Sequence, residues 1–261
     1  MIPADRRPPN EYDMKMYTST PGTVVLEHGR EALVKRVDVP NVPGAFLLLN
    51  VLSREECRQI ITAAETFGFE PDRPIGDGAA ADQKSVLAHN FFWLADSSLN
   101  STIFERCKAF LPNVMGGDGP VVGINARWRV YRYVKGSVYR PHVDGAWPAS
   151  GISEDGKYVY DAYEGERYSR MTFLMYLNED FEGGCTTFFT PSKEVGIMDA
   201  QGVKPRAGCI LCFPHGDTMG SLLHEGSAVI GDGKKYIVRS DLMYVIEKHK
   251  IIKDKEREST T

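Results

Sequence analysis

The apolar positions change period about midway along the chain. In the first half, AFLLLNVL (45–52) is a short unbroken apolar run of the kind a buried strand shows, and it leads directly into a helix signature. Ser53 with Glu56 three residues on forms a capping box, Cys57, Ile60, Ile61 and Ala64 share one helical face, and Gly68 supplies a stop, so the spacing predicts a helix over 54–67. Ile103, Cys107, Phe110 and Leu111 mark a second helix over 102–111, ended by Pro112. From Asn125 onward the runs become short and β-like: ARWRVYRYV, YSRMTFLMYLN, CTTFFT, GCILCFP and KKYIVRSDLMYVI, with turn residues between them. Runs at this spacing, without long helices between them, predict an antiparallel sandwich or barrel rather than a βαβ fold. The expected fold class is therefore mainly β with supporting helices (α+β), in which two helices pack on a jelly-roll core of the double-stranded β-helix type.

Residues 1–43 are polar and proline-bearing and read as an N-terminal extension, and 247–261 reads as a charged C-terminal tail. Between them, 44–246 is expected to be a single domain, with helical support over 53–112 and the jelly-roll core over 121–246. Two segments interrupt the pattern: GDGAAAD (76–82), and 145–167, which carries Trp147, Tyr158, Tyr160 and Tyr163 among acidic residues. Insertions of this kind are commonly lids or binding loops.

Charge and cysteine content narrow the function classes. Lys+Arg 31 against Asp+Glu 35 leaves a net charge of -4, with no basic excess to neutralise phosphates, so a nucleic-acid partner is not expected. No stretch approaches the roughly 18 consecutive apolar residues of a spanning helix, and the start lacks the apolar core of a signal peptide, so a membrane partner is not expected and the compartment is expected to be cytoplasmic or nuclear. Five cysteines, an odd number, agree with a reducing compartment. Cys209 and Cys212 fit C-x-x-C, but they stand in an apolar run with no second pair, and packing is the expected role.

The sharpest chemical feature is His142-Val143-Asp144 at the end of a β run. About one His-x-acid pair is expected by chance in a chain with six histidines and 35 acidic residues, so the motif gains meaning only from its setting. On an extended strand, residues two apart point to one face, which lets His142 and Asp144 present an imidazole and a carboxylate to one ion. A third ligand is then required. His224 lies 82 residues downstream, where a jelly roll returns to the same barrel mouth, and His215, after a strand end, is the alternative. Two histidines and a carboxylate with open positions opposite is the arrangement preferred by non-haem Fe(II) centres that activate dioxygen.

The order and spacing of four stretches, RYVKGSVYRPHVDG, SRMTFLMYLNEDFEGGCTTFF, KPRAGCILCFPHG and LLHEGSAVIGDGKKYIVRSDLMY, resemble the prolyl 4-hydroxylase-like branch of the Fe(II)/2-oxoglutarate-dependent dioxygenases. The resemblance covers roughly 44 to 245. It implies Fe(II) held by His142, Asp144 and His224, with 2-oxoglutarate and O2 as co-substrates and ascorbate as a reductant. It places Lys235, 11 positions after His224, on the distal carboxylate of 2-oxoglutarate. Arg239, four residues further along the same strand and so on the same face, is the alternative anchor. Tyr176 matches the tyrosine sharing that carboxylate, Tyr133 and Tyr139 match pocket tyrosines, and Thr172 is a further polar neighbour. Gly183-Gly184 resembles a conformational turn into the next strand.

The implied activity is hydroxylation of a C–H bond with conversion of 2-oxoglutarate to succinate and CO2. The first-ranked substrate is a prolyl residue in a peptide or protein. A free amino acid or other small metabolite, or a non-catalytic sensor binding metal and 2-oxoglutarate, are the alternatives. Trp147 and Tyr158, in the 145–167 loop, and the 71–90 region are expected to meet the substrate. Oligomeric state is not legible.

Overall fold

The computed structural model describes residues 16–71, 86–216 and 220–246. GDGAAAD, the N-terminal 1–15 and the charged 247–261 lie outside the described residues. The described chain forms two facing sheets with two helices on the outer face of the larger one.

The larger sheet contains β1 (Met16–Thr18), β2 (Lys35–Asp38), β3 (Phe46–Leu49), β4 (Glu70–Pro71), β6 (His89–Leu94), β7 (Val121–Ile124), β8 (Arg127–Tyr133), β12 (Arg167–Tyr176), β15 (Ile210–Pro214) and β17 (Lys235–Val245). Its main path runs β1-β6-β8-β17-β12-β15-β3-β2, and every pairing along it is antiparallel except β1 with β6. The smaller sheet has the order β14-β13-β16-β9-β5, from β14 (Met198–Val203), β13 (Thr186–Pro191), β16 (Leu223–Gly226), β9 (Ser137–His142) and β5 (Val86–Leu87). A small hairpin of β10 (Gly151–Ile152) and β11 (Tyr158–Val159) lies within the 145–167 loop. This is the mainly β, jelly-roll architecture expected from the run spacing.

Alternation along the long strands decides which residues face which layer. On β17, Tyr236, Val238, Leu242 and Tyr244 join the core between the larger sheet and the helices, while Ile237 joins the core between the two sheets. On β12, Phe173 and Met175 face the helices, and Leu174 and Tyr176 face the barrel interior. The interior face of β17 therefore carries Lys235, Ile237, Arg239 and Asp241.

The first helix, α1 (Arg54–Phe67), has the predicted boundaries and capping box: Glu56 N donates to Ser53 Oγ (3.1 Å) and Ser53 N to a Glu56 carboxylate oxygen (2.7 Å). The second, α2 (Ser97–Cys107), begins five residues earlier than predicted because Asp96 caps it by accepting from Leu99 N, and a 3-10 turn at 108–110 replaces its last turn. The AFLLLNVL strand stops at Leu49, since Asn50 takes a left-handed φ of 61°. The segment expected as an N-terminal extension contributes two edge strands, β1 and β2. Gly208 accounts for the turn before β15: at φ 78° a Cβ there would sit 2.0 Å from the Leu52 carbonyl oxygen.

One buried ion pair ties these outer elements together. Glu56 is fully buried and receives both terminal nitrogens of Arg106 from α2 (2.8 and 3.1 Å) together with the backbone N–H of Glu27 (2.6 Å). Arg106 also donates to the carbonyls of Val51 and Glu27. Burial opposes the charge on Glu56, but the Arg106 hydrogen bonds and the two backbone donors hold its carboxyl below the usual range. Arg106→Met leaves this carboxylate buried with only Arg30 Nε, 3.8 Å away, as a cation, and we expect a loss of about 3 kcal/mol. Urea denaturation at pH 7 checks this, and a loss under about 1 kcal/mol would show that the pair is dispensable.

Candidate metal centre

β9 and β16 are neighbours in the smaller sheet, and His142 on one is the register partner of His224 on the other. Their ring centroids lie 4.3 Å apart. Asp144 follows β9 by two residues, and the three side chains offer ligand atoms that all lie within 4.8 Å of one another. Each imidazole is oriented by the same local device. His142 Nδ1 bonds the carbonyl of Arg140 (2.7 Å) and His224 Nδ1 that of Leu222 (3.0 Å), so the proton sits on Nδ1 and each Nε2 keeps its lone pair. Those Nε2 atoms stand 3.3 and 3.7 Å from the two oxygens of Asp144. Burial pushes the His224 pKa down by more than the facing Asp144 raises it, which favours the neutral, ligating form.

Asp144 is nearly out of solvent. Burial alone would raise its pKa, yet the Arg239 guanidinium beside it holds it well below the usual carboxylate range. Arg239 Nε lies 3.2 Å from Asp144 Oδ2, and its Nη2 lies 3.2 Å from Asp241 Oδ1. Thr172 donates to the same Oδ2 at 2.6 Å. Two imidazole nitrogens and one ionised carboxylate converging at this spacing fit a non-haem Fe(II) ion. His215 is not part of the group. It is fully buried and bonded through both ring nitrogens, to Ser169 Oγ (2.8 Å) and Thr172 Oγ1 (2.9 Å).

The three side chains open into a cavity of about 180 Å³ between the two sheets. Tyr133, Tyr139, Thr172, Trp147 and Arg239, all singled out in the sequence, line it, as do Arg129 and Tyr131, which were not. The signal for Tyr131 was present, since it is two residues before Tyr133 on one strand and shares its face. Lys235 and Tyr176 lie just behind the lining. Lys235 Nζ stands 4.7 Å from the centre of the Tyr133 ring, its register partner on β8, and donates to the Gly184 carbonyl (2.8 Å). Tyr176 donates to Thr186, which does line the cavity. The Gly183-Gly184 turn makes this possible: Gly184 has φ 66°, and a Cβ there would meet the Phe181 ring at 2.9 Å and the Lys235 chain at 3.2 Å. Tyr158 is placed elsewhere, packed with Met16, Phe92 and Leu94 and bonded to Ser150. Cys212 lies in the helix-side core and Cys209 in the core between the sheets, and burial raises both thiol pKa values.

Residues 128–240 match the family model of the 2OG-Fe(II) oxygenase superfamily. This stretch of the chain is similar to a 2OG-Fe(II) oxygenase domain. The matched stretch contains His142, Asp144, His224 and Lys235, and the family it matches implies Fe(II), 2-oxoglutarate and O2. Among solved structures, the viral collagen prolyl hydroxylase of Paramecium Bursaria Chlorella virus-1, in its 2OG complex, is similar at 18% identity and a TM-score of 0.46, over 82% of this chain and 96% of that one. A Trichoplax adhaerens prolyl hydroxylase in complex with a hypoxia inducible factor peptide fragment is similar at 16% identity and a TM-score of 0.49, over 85% and 89%. The carbocyclase SnoK of nogalamycin biosynthesis is similar at 14% identity and a TM-score of 0.48, over 84% of each chain. No curated protein matches the chain. Among the described residues, no helix is long and apolar enough to cross a membrane.

Lys235 gives the domain a measurable electrostatic signature. Full burial lowers its pKa from an ordinary 10.5 to about 8, and no carboxylate pairs with it among the described residues. The folded state disfavours the charged form, so the cost of burying Lys235 is complete below pH 8 and fades as the pH rises to 10.5. We expect Lys235→Met to gain stability over the wild type at pH 7, and this advantage to shrink by about 3 kcal/mol on going to pH 10.5. Denaturant titrations at the two pH values check this. A pH-independent difference would mean that Lys235 titrates normally.

Proposed function

We propose that this chain is a 2-oxoglutarate-dependent hydroxylase acting on a C–H bond of a prolyl residue in a peptide or protein. The observation that carries the reading is the convergence of His142, Asp144 and His224 at an aromatic-lined cavity inside the stretch that matches the oxygenase family. In this reading the three side chains hold Fe(II). Metal and 2-oxoglutarate, when bound, supply the oxidising chemistry, with succinate and CO2 as co-products.

The protein's own residues bind, orient and exclude water. Arg239 is committed to Asp144 and Asp241, whereas Lys235 is a buried cation without a carboxylate partner among the described residues. Lys235 is therefore the residue we assign to the distal carboxylate of 2-oxoglutarate, because a buried dicarboxylate needs its far charge paired. Arg239 we assign to holding Asp144 ionised. Tyr131, Tyr139 and Trp147 supply flat apolar walls of the kind that receive an extended, proline-bearing segment. The Trp147 indole N–H is buried without a hydrogen-bond partner, which makes it a donor for a substrate carbonyl.

His142→Ala and Asp144→Ala should each reduce iron-dependent succinate formation to background, and normal turnover in either would refute the metal assignment. Lys235→Ala should raise the apparent Kd for 2-oxoglutarate at least about tenfold, and wild-type binding should weaken as the pH rises above 8, where Lys235 loses its proton. Lys235→Arg should bind without that pH dependence. Mass spectrometry of proline-containing peptides incubated with Fe(II), 2-oxoglutarate and O2 should show the gain of one oxygen. If the oxygen appears on free amino acids instead, the peptide assignment is wrong, and if succinate never forms, so is the enzyme.

A further inference from the structure

We propose that His215 is a positioning residue at the centre of a one-way chain of hydrogen bonds that joins the backbone of Trp147, in the cavity wall, to the metal-ligand candidate Asp144. The inference rests on the metal reading above. The links are Trp147 N to Ser169 Oγ (2.8 Å), Ser169 Oγ to His215 Nε2 (2.8 Å), His215 Nδ1 to Thr172 Oγ1 (2.9 Å) and Thr172 Oγ1 to Asp144 Oδ2 (2.6 Å). Ser169, Thr172 and His215 are all essentially inaccessible.

The direction of every link follows from the two ends and from the neutral imidazole between them. A backbone N–H can only donate, and an ionised carboxylate can only accept. Ser169 receives the Trp147 N–H and still has a second lone pair and a proton, so its link to His215 Nε2 is decided by the imidazole. Thr172 spends its proton on Asp144, so it must receive from His215 Nδ1. Burial keeps His215 neutral, so with its one proton on Nδ1 the Nε2 lone pair accepts from the Ser169 hydroxyl. No proton is left over and no acceptor is used by two donors within the chain.

A buried imidazole is costly unless both nitrogens are paired, and here both pairs lead to functional positions. At one end, the bond to Oδ2 leaves Oδ1 as the Asp144 oxygen turned toward His142. At the other, Ser169 N returns a bond to the Trp147 carbonyl (2.9 Å), so residue 147 is gripped through both backbone groups. The Arg127 guanidinium, 4.3 Å from the centre of the indole, fixes the ring. Trp147 thus takes its place from the same chain that orients the carboxylate, and a disturbance at either end is felt at the other.

The test cuts the chain at one end and reads it at the other. 5-Fluorotryptophan labels Trp93, Trp128 and Trp147, and Trp147→Phe assigns the third resonance. The metal-free protein is titrated with Zn(II) alone, by calorimetry and by fluorine NMR. Ser169→Ala, which leaves Thr172 beside Asp144, should weaken Zn(II) binding about tenfold. Thr172→Val should move the Trp147 resonance in the metal-free protein, and Thr172→Ser, which keeps the hydroxyl, should restore both the resonance and the affinity. Thermal unfolding of each variant confirms that it is folded. Ser169→Ala with Zn(II) affinity within twofold of wild type, or Thr172→Val with an unmoved Trp147 resonance, would overturn the proposal. Wild-type protein that binds no Zn(II), or His142→Ala that binds it as tightly, would instead sink the metal reading, while the Trp147 resonance still reports on the chain.

Discussion

A charged carboxylate withdrawn from water at Asp144 is the constraint around which the interior is arranged. An isolated buried carboxylate would take up a proton and lose its value as an anionic ligand. Here Arg239 sits against it, Thr172 donates to it and two imidazoles face it. These partners come from four separate places: β9, β12, β16 and β17. Asp144 can remain ionised only when both sheets are in their native registers. Arg239 has Arg129 as its register partner on β8, a juxtaposition of like charges that the two nearby aspartates, Asp144 and Asp241, offset.

The larger sheet serves two layers at once. Its outer face is anchored to the helices through the apolar core and the Glu56–Arg106 pair, and its inner face carries the charged and hydroxylic groups. Alternation keeps these apart: on β17, Tyr236, Val238 and Leu242 pack outward, while Lys235, Arg239 and Asp241 project inward. The unusual composition of that strand, three charged side chains in an otherwise apolar run, is a record of what the interior must hold.

Much of this was legible in the sequence because it depends on local rules. The capping box placed α1 to the residue, and the two-residue spacing of His142 and Asp144 already implied a shared face. The start of α2 was missed because Asp96 precedes a polar first turn with no apolar stripe to announce it. β14 was missed because MDAQGV is an exposed edge strand without alternation. Of the site, the imidazole–carboxylate group was visible as a motif, whereas the roles of Ser169, His215 and Asp241 were not. Their meaning lies in cross-strand neighbours, such as Thr172 opposite both Phe213 and Asp241, and register of that kind is a property of the assembled sheet.

His142 and His224 are partners across two strands, not neighbours on one. An ion held by both is therefore a cross-link between β9 and β16. Slipping either strand by one residue would turn an imidazole to the opposite face and break the grip, so the free energy of metal binding and the free energy of holding strand register become one quantity. The smaller sheet would be tightened by its own ligand at the point where its two middle strands meet, and a chain with the wrong register could not be loaded at all.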